Sequence, residues 1–162
     1  MQADAQVYPF DPQAFDFANV ARALRPGGRL ALLVWQPEPR NAWAVELTAA
    51  LTAGRALPAD PPDAPGPFSL ADPDRVRAIL TRAGFSEVTF EGMREPMYFG
   101  EDAQAAYRFV CGLGFVDYLL KGLDAPARTQ ALDALRATIV AHDTTQGVLY
   151  PSAVWIIRAH RT

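Results

Sequence analysis

Arg25-Pro26-Gly27-Gly28-Arg29-Leu30-Ala31-Leu32-Leu33-Val34-Trp35 is the stretch on which a fold reading turns. Its proline and paired glycines stop any regular element before them, because proline has no N–H to give and glycine accepts positive φ. Residues 30–35 then contain no polar side chain on either alternating face. Such a run predicts a strand covered on both sides inside an α/β layer. Upstream, Asp11-Pro12 suits a helix start, since the carboxylate can accept from first-turn amides and a proline there loses no needed donor. Phe17, Val20, Ala21 and Leu24 recur at helical spacing, so a helix is predicted over residues 12–24, preceded by a loop over residues 1–10.

Downstream, Gln36-Pro37-Glu38-Pro39-Arg40-Asn41 cannot continue a strand, and the alanine- and leucine-rich residues 43–56 predict a helix. Pro58, Pro61, Pro62, Pro65 and Pro67 predict an extended lid or linker. Asp72-Pro73 repeats the helix-opening pattern, Val76, Ile79, Leu80 and Ala83 supply an apolar face, and Gly84 suits a left-handed stop. Phe85, Val88 and Phe90 beside Glu87, Thr89 and Glu91 predict a strand with one wetter face. Helices are predicted over residues 101–120 and 126–140, and a closing strand over residues 152–160 around Val154-Trp155-Ile156-Ile157.

The 162 residues predict one domain with one core, and a composition half hydrophobic and one-fifth charged excludes global disorder. No apolar run approaches the roughly 18–20 residues that a membrane helix needs, so a soluble chain without a membrane partner is expected. A net charge of −3, with Lys121 the only lysine, gives no basic field for nucleic acid. Cys111 is alone and no leader-like pattern opens the chain, which predicts a cytoplasmic address without intrachain disulfides.

A strand after an Arg-Pro-Gly-Gly turn, a helix ending in Ala83-Gly84-Phe85, a strand, inserted helices and a closing Val154-Trp155-Ile156-Ile157-Arg158-Ala159 follow one another. This order resembles the C-terminal half of class I S-adenosylmethionine-dependent methyltransferases of the small-molecule, methyltransferase type 11-like kind. Residues 17–30 resemble the family's helix and turn before its fifth strand. Ala3-Asp4-Ala5-Gln6, with Pro9-Phe10 and Phe15-Asp16, is similar to the loop after the third strand. The resemblance implies an α/β, Rossmann-like fold, partial in this chain, with residues 93–147 as a helical insertion capping the substrate. It also implies S-adenosylmethionine as cofactor and a small molecule as substrate, methylated on oxygen, nitrogen or carbon. Asp4 would accept from the adenine amino group, the Ala5 amide would meet the ring, and Gln6 would share that loop.

Two departures stand out. The family's acidic-x-Gly-x-Gly-x-Gly turn, which holds the methionine end of the cofactor, has no counterpart, and Asp16 runs directly into Phe17 where the family has a fourth strand. The 162 residues by themselves are therefore expected to bind the cofactor weakly or not at all. The competing readings are a non-catalytic remnant of the fold, serving as a binding or assembly module, and one half of a split enzyme.

Trp35 at the end of its strand and Tyr98 on the inserted segment are the expected substrate-pocket residues, since ligands of open α/β sheets bind beyond strand carboxyl ends. Phe109 and Phe115, in long apolar runs, are read as core. Cys111-Gly112-Leu113-Gly114 does not follow a strand and lacks a third glycine at phosphate-loop spacing. His142 and Asp143 are read as capping a helix end, and His160 as without a role. No metal-ligand spacing and no nucleophile–base set occurs, so no catalytic residue is named. Finally, the strand at residues 30–35 lacks the sequence for one expected neighbour, which predicts a homodimer or strand-swapped pair unless further segments of the full-length protein supply that neighbour.

Overall fold

The structure, a computed structural model, describes residues 17–57 and 65–162. The expected helix start at Asp11-Pro12, the loop of Asp4, Ala5 and Gln6, and Pro58, Pro61 and Pro62 lie outside the described residues. Helix α1 (Phe17–Ala23) leads into the Pro26-Gly27-Gly28 turn and strand β1 (Arg29–Trp35). Gly27 takes φ +73° and donates its N–H to the Arg161 carbonyl at 2.9 Å. A Cβ on Gly28 would stand 2.7 Å from the Arg25 carbonyl oxygen, so the turn requires glycine there.

Helix α2 (Ala42–Thr52) follows a single 3-10 turn, and α3 (Pro73–Arg82) starts where Asp72-Pro73 predicts. The Asp72 carboxylate accepts from the N–H groups of Asp74 at 2.9 Å and Arg75 at 3.4 Å. Strand β2 (Phe85–Gly100) runs nine residues past Glu91, where its alternating start ends. The helix expected over residues 101–120 is two, α4 (Ala103–Cys111) and α5 (Gly114–Leu120). At the break, Gly112 closes α4 by donating to Arg108 and Phe109 carbonyls, and Leu113 is extended. Cys111-Gly112-Leu113-Gly114 is this interhelical joint. Helix α6 (Ala125–Ala141), the short β3 (Asp143–Thr144) and β4 (Gly147–Arg161) complete the order.

The architecture is α/β, with sheet order β1-β4-β2 and β3 paired to β4. β1 runs antiparallel to β4, from Arg29 opposite His160 to Trp35 opposite Val154. β2 also opposes β4 in direction: Glu87 meets His160, Glu91 meets Arg158, and Gly92 lies against Trp155.

The expectation that residues 30–35 are covered on both sides is corrected. Leu30, Leu32 and Val34 pack inward, but Arg29 and Ala31 are exposed and Leu33 is 65% exposed. An outer antiparallel strand with one covered face shows this alternation whatever its composition.

The chain divides into two compact units. The first, residues 1–38, 60–94 and 153–162, packs Phe17 and Ala21 of α1, Val76 and Leu80 of α3, and Leu70 onto Phe85, Val88, Ile157 and Ala159 of the sheet. The Trp155 indole N–H anchors the segment before α3 by donating to the Ala71 carbonyl at 3.0 Å. The second unit, residues 39–59 and 95–152, buries Leu47 and Leu51 of α2 with Val110, Val116, Leu120, Leu135, Ile139 and Tyr150. Thus α2, which precedes the expected insertion at residues 93–147, shares a core with α4, α5 and α6. Among the described residues no helix is long and apolar enough to cross a membrane.

Gly147 opens β4 at φ +98°, and a Cβ there would lie 2.5 Å from the Gly100 carbonyl oxygen and 2.6 Å from Tyr98 Cε2. Gly147→Ala is expected to cost about 2 kcal/mol or more through combined backbone strain and collision. Thermal denaturation should show a Tm lower by about 4–8 °C.

Candidate functional site

Of the residues expected to carry function, Asp4, Ala5 and Gln6 lie outside the described residues. Trp35 ends β1 half-buried, in the first unit. Tyr98 lies on β2 in the second unit, 56% exposed, with its ring edge over Gly147. The crevice rule behind Trp35 belongs to parallel sheets, where crossover helices part at a switch point. The described strands are antiparallel and form no such point. Beyond Trp35, buried Gln36 binds into the sheet, its side-chain N–H donating to the Val154 carbonyl at 2.9 Å and its backbone N–H to Ala153 at 3.0 Å. Phe115 packs against the second core as expected, whereas Phe109 is 42% exposed while its ring meets Phe99 edge-on.

The densest set of chemistry-bearing side chains is in the second unit, around His142. His142 caps the C-terminus of α6, in keeping with a helix-end role, but its partner is Glu46 of α2 rather than Asp143. The two ring nitrogens stand 2.8 Å from Glu46 Oε2 and 3.1 Å from the Leu149 carbonyl oxygen. Thr138, one turn earlier on α6, donates to the same Glu46 oxygen at 2.9 Å. Because its only proton is so engaged, the 3.3 Å contact with Tyr150 has the phenol donating to Thr138. The Tyr150 ring, fully buried, stacks on the imidazole at 3.9 Å between centroids. Asp143 turns elsewhere, accepting from the Ala103 N–H at the start of α4 at 3.1 Å.

This geometry decides what the cluster can do. A general base needs a nitrogen or oxygen within reach of a substrate proton. Both His142 nitrogens stand against protein oxygens, the Glu46 carboxylate and the Leu149 carbonyl. The set therefore fastens α2, the end of α6 and the start of β4 together. Sequence offers no signal for it, since Glu46 and His142 are 96 residues apart.

In the first unit, Arg29, Ala31, Thr89, Glu87, Arg158 and His160 are among the residues lining an open cleft of about 460 Å³ beside the sheet. His160 pairs with Glu87 at 2.8 Å and Arg158 with Glu91 at 2.6 Å, so His160 does have a partner. Exposed pairs of this kind contribute little to stability. A second open cleft, of about 490 Å³, lies between Arg77, Thr81, Ser86 and Thr162. No family model matches the chain, and no curated protein matches it.

Burial raises the Tyr150 phenol above its ordinary value, and the nearby Glu46 carboxylate pushes the same way. The native state thus holds this proton more tightly than the unfolded chain, whose tyrosines titrate near about 10. The resulting stability is complete below that pH and is lost as pH rises through the native value. Denaturant unfolding at about pH 9 and pH 11 should show an alkaline loss that Tyr150→Phe reduces, because a phenyl ring has no proton to give up.

Proposed function

We propose that this protein is an S-adenosylmethionine-dependent methyltransferase of small molecules, with a Rossmann-like class I fold of which these elements form the later part. The observation that carries the reading is the order of elements. Helix α1, the Gly27-Gly28 turn and β1 are followed by α3, Gly84 at φ +90° and β2, then α4 to α6, then the closing β4. This is the order that the resemblance of residues 17–90 and 152–161 implies, with the inserted helices between the last two long strands. In this reading Trp35 forms part of a substrate wall, and Asp4, Ala5 and Gln6 meet the adenine.

S-adenosylmethionine would supply an electrophilic methyl group on a sulfonium. The described residues do not make a bed for it. Gln36, the polar side chain next to Trp35, is already bound to Val154, and both clefts are open and lie away from Trp35.

Titration calorimetry of S-adenosylmethionine into the 162-residue chain tests the reading. Weak binding is expected, with a dissociation constant no tighter than about 100 µM, near −5.5 kcal/mol, and Asp4→Ala should weaken it about tenfold or more for the loss of a hydrogen bond from the adenine. No heat into the millimolar range would mean that these residues do not hold the cofactor by themselves, the outcome that the reading as a non-catalytic module requires. Binding indifferent to Asp4→Ala would remove the proposed adenine contact.

A further inference from the structure

Within the first unit, three strands bring a set of charged side chains to one place. Arg29 of β1 stands opposite His160 of β4, and Ala31 opposite Arg158. His160 Nδ1 meets the Glu87 carboxylate of β2 at 2.8 Å, and Arg158 meets Glu91 at 2.6 Å. Glu87 holds its place at φ +52°, a left-handed conformation that strains a glutamate, and such strain gathers at ligand clamps. The two carboxylates are committed to His160 and Arg158, and Arg29 is committed to neither. Among the described residues the Arg29 guanidinium and His160 Nε2 have no partner. Arg29, Arg158, His160 and Glu87 line the cleft of about 460 Å³ together with the short side chains of Ala31 and Thr89. Arg29 and Arg158 are diagonal neighbours across the β1–β4 ladder, a spacing that long side chains span.

We infer that this cleft binds a small phosphate monoester, with Arg29 and Arg158 donating to phosphate oxygens and His160 Nε2 sharing a proton with a third. Glu87, through Nδ1, is the positioning residue that orients the imidazole. A tetrahedral phosphate offers one oxygen to each of the three groups, whereas a single guanidinium fork already satisfies a planar carboxylate. The cleft volume is that of a small-molecule site and leaves room for the organic part of the ester beside Ala31 and Thr89. This site is separate from the expected substrate wall, because Arg29 and Trp35 are the two ends of β1, about 20 Å apart along a strand. It is also independent of the methyltransferase reading, since S-adenosylmethionine carries no phosphate.

Glycerol phosphate titrated into the 162-residue chain at constant ionic strength should move the Ala31 amide and His160 imidazole NMR signals saturably, with half-saturation at about 1 mM or below. Acetate should bind at least about tenfold more weakly, for want of the third oxygen. Read at the Ala31 amide, Arg29→Ala and His160→Gln should each raise the half-saturation concentration about tenfold or more, the loss of one charge-assisted contact. Arg94→Ala, which removes an exposed arginine of β2 outside the cleft, should leave it unchanged. If a variant fails to fold, the His160 signals of the parent chain decide. No saturation by about 10 mM, acetate binding as tightly as glycerol phosphate, or an equal loss in Arg94→Ala would each overturn the inference, the last by showing general charge screening in place of a site.

Discussion

The ladder between Arg29–Trp35 and the end of the chain is the constraint from which the first unit follows. It joins residues separated by more than a hundred positions, so its closure is a non-local event with a large entropic cost that must be offset by burial. Inward-facing Leu30, Leu32 and Val34 supply that burial with Ile157 and Ala159, against Phe17, Val76 and Leu80. The ladder is clamped at both ends, by Gly27 and Gly28 on Arg161 and by Gln36 on Ala153 and Val154. Register is thereby fixed where a slip of one residue would turn the apolar row outward.

What was legible in the sequence was local. Asp72-Pro73 announces α3 because capping and proline act within one turn, and Gly84 announces its end. The apolar run at residues 30–35 announces β1. The partner and environment of β1 were not legible, because composition does not say whether a strand lies inside a sheet or outside. The far half of β2 is not legible, because residues 92–98 carry charges and a proline that lower strand propensity, and pairing with β4 overrides it. The split of residues 101–120 at Gly112 was written in the letters but outweighed by apolar periodicity.

The site was less legible than the fold. Glu46 sits in an alanine-rich helix with no special neighbour, and nothing in Thr138, His142 or Tyr150 points toward it. Only packing of α2 against α6 makes the four a set. Asp143, the obvious sequence partner of His142, is carried past it by the turn into β3 and serves α4 instead, as expected of adjacent residues whose side chains diverge. Chemistry-bearing residues brought together in this way can still be purely structural. Here the occupied ring nitrogens, not the residue types, distinguish fastening from catalysis.

β1 poses a mismatch between sequence and surroundings that bears on how the protein is completed. Its composition suits a strand enclosed on two faces and two edges, yet among the described residues it has one covered face and one neighbour. Leu33 is 65% exposed, and the cleft on that face is bordered by Ala31 and Arg29. Burying such side chains is worth about 25 cal/mol per Å² of apolar area removed from water, so a covering element gains from apolar contact as well as from backbone pairing. β2, equally an outer strand, is wet and charged over the same sheet. The asymmetry sets the two outer strands of the described sheet apart, one apolar along its length and the other charged.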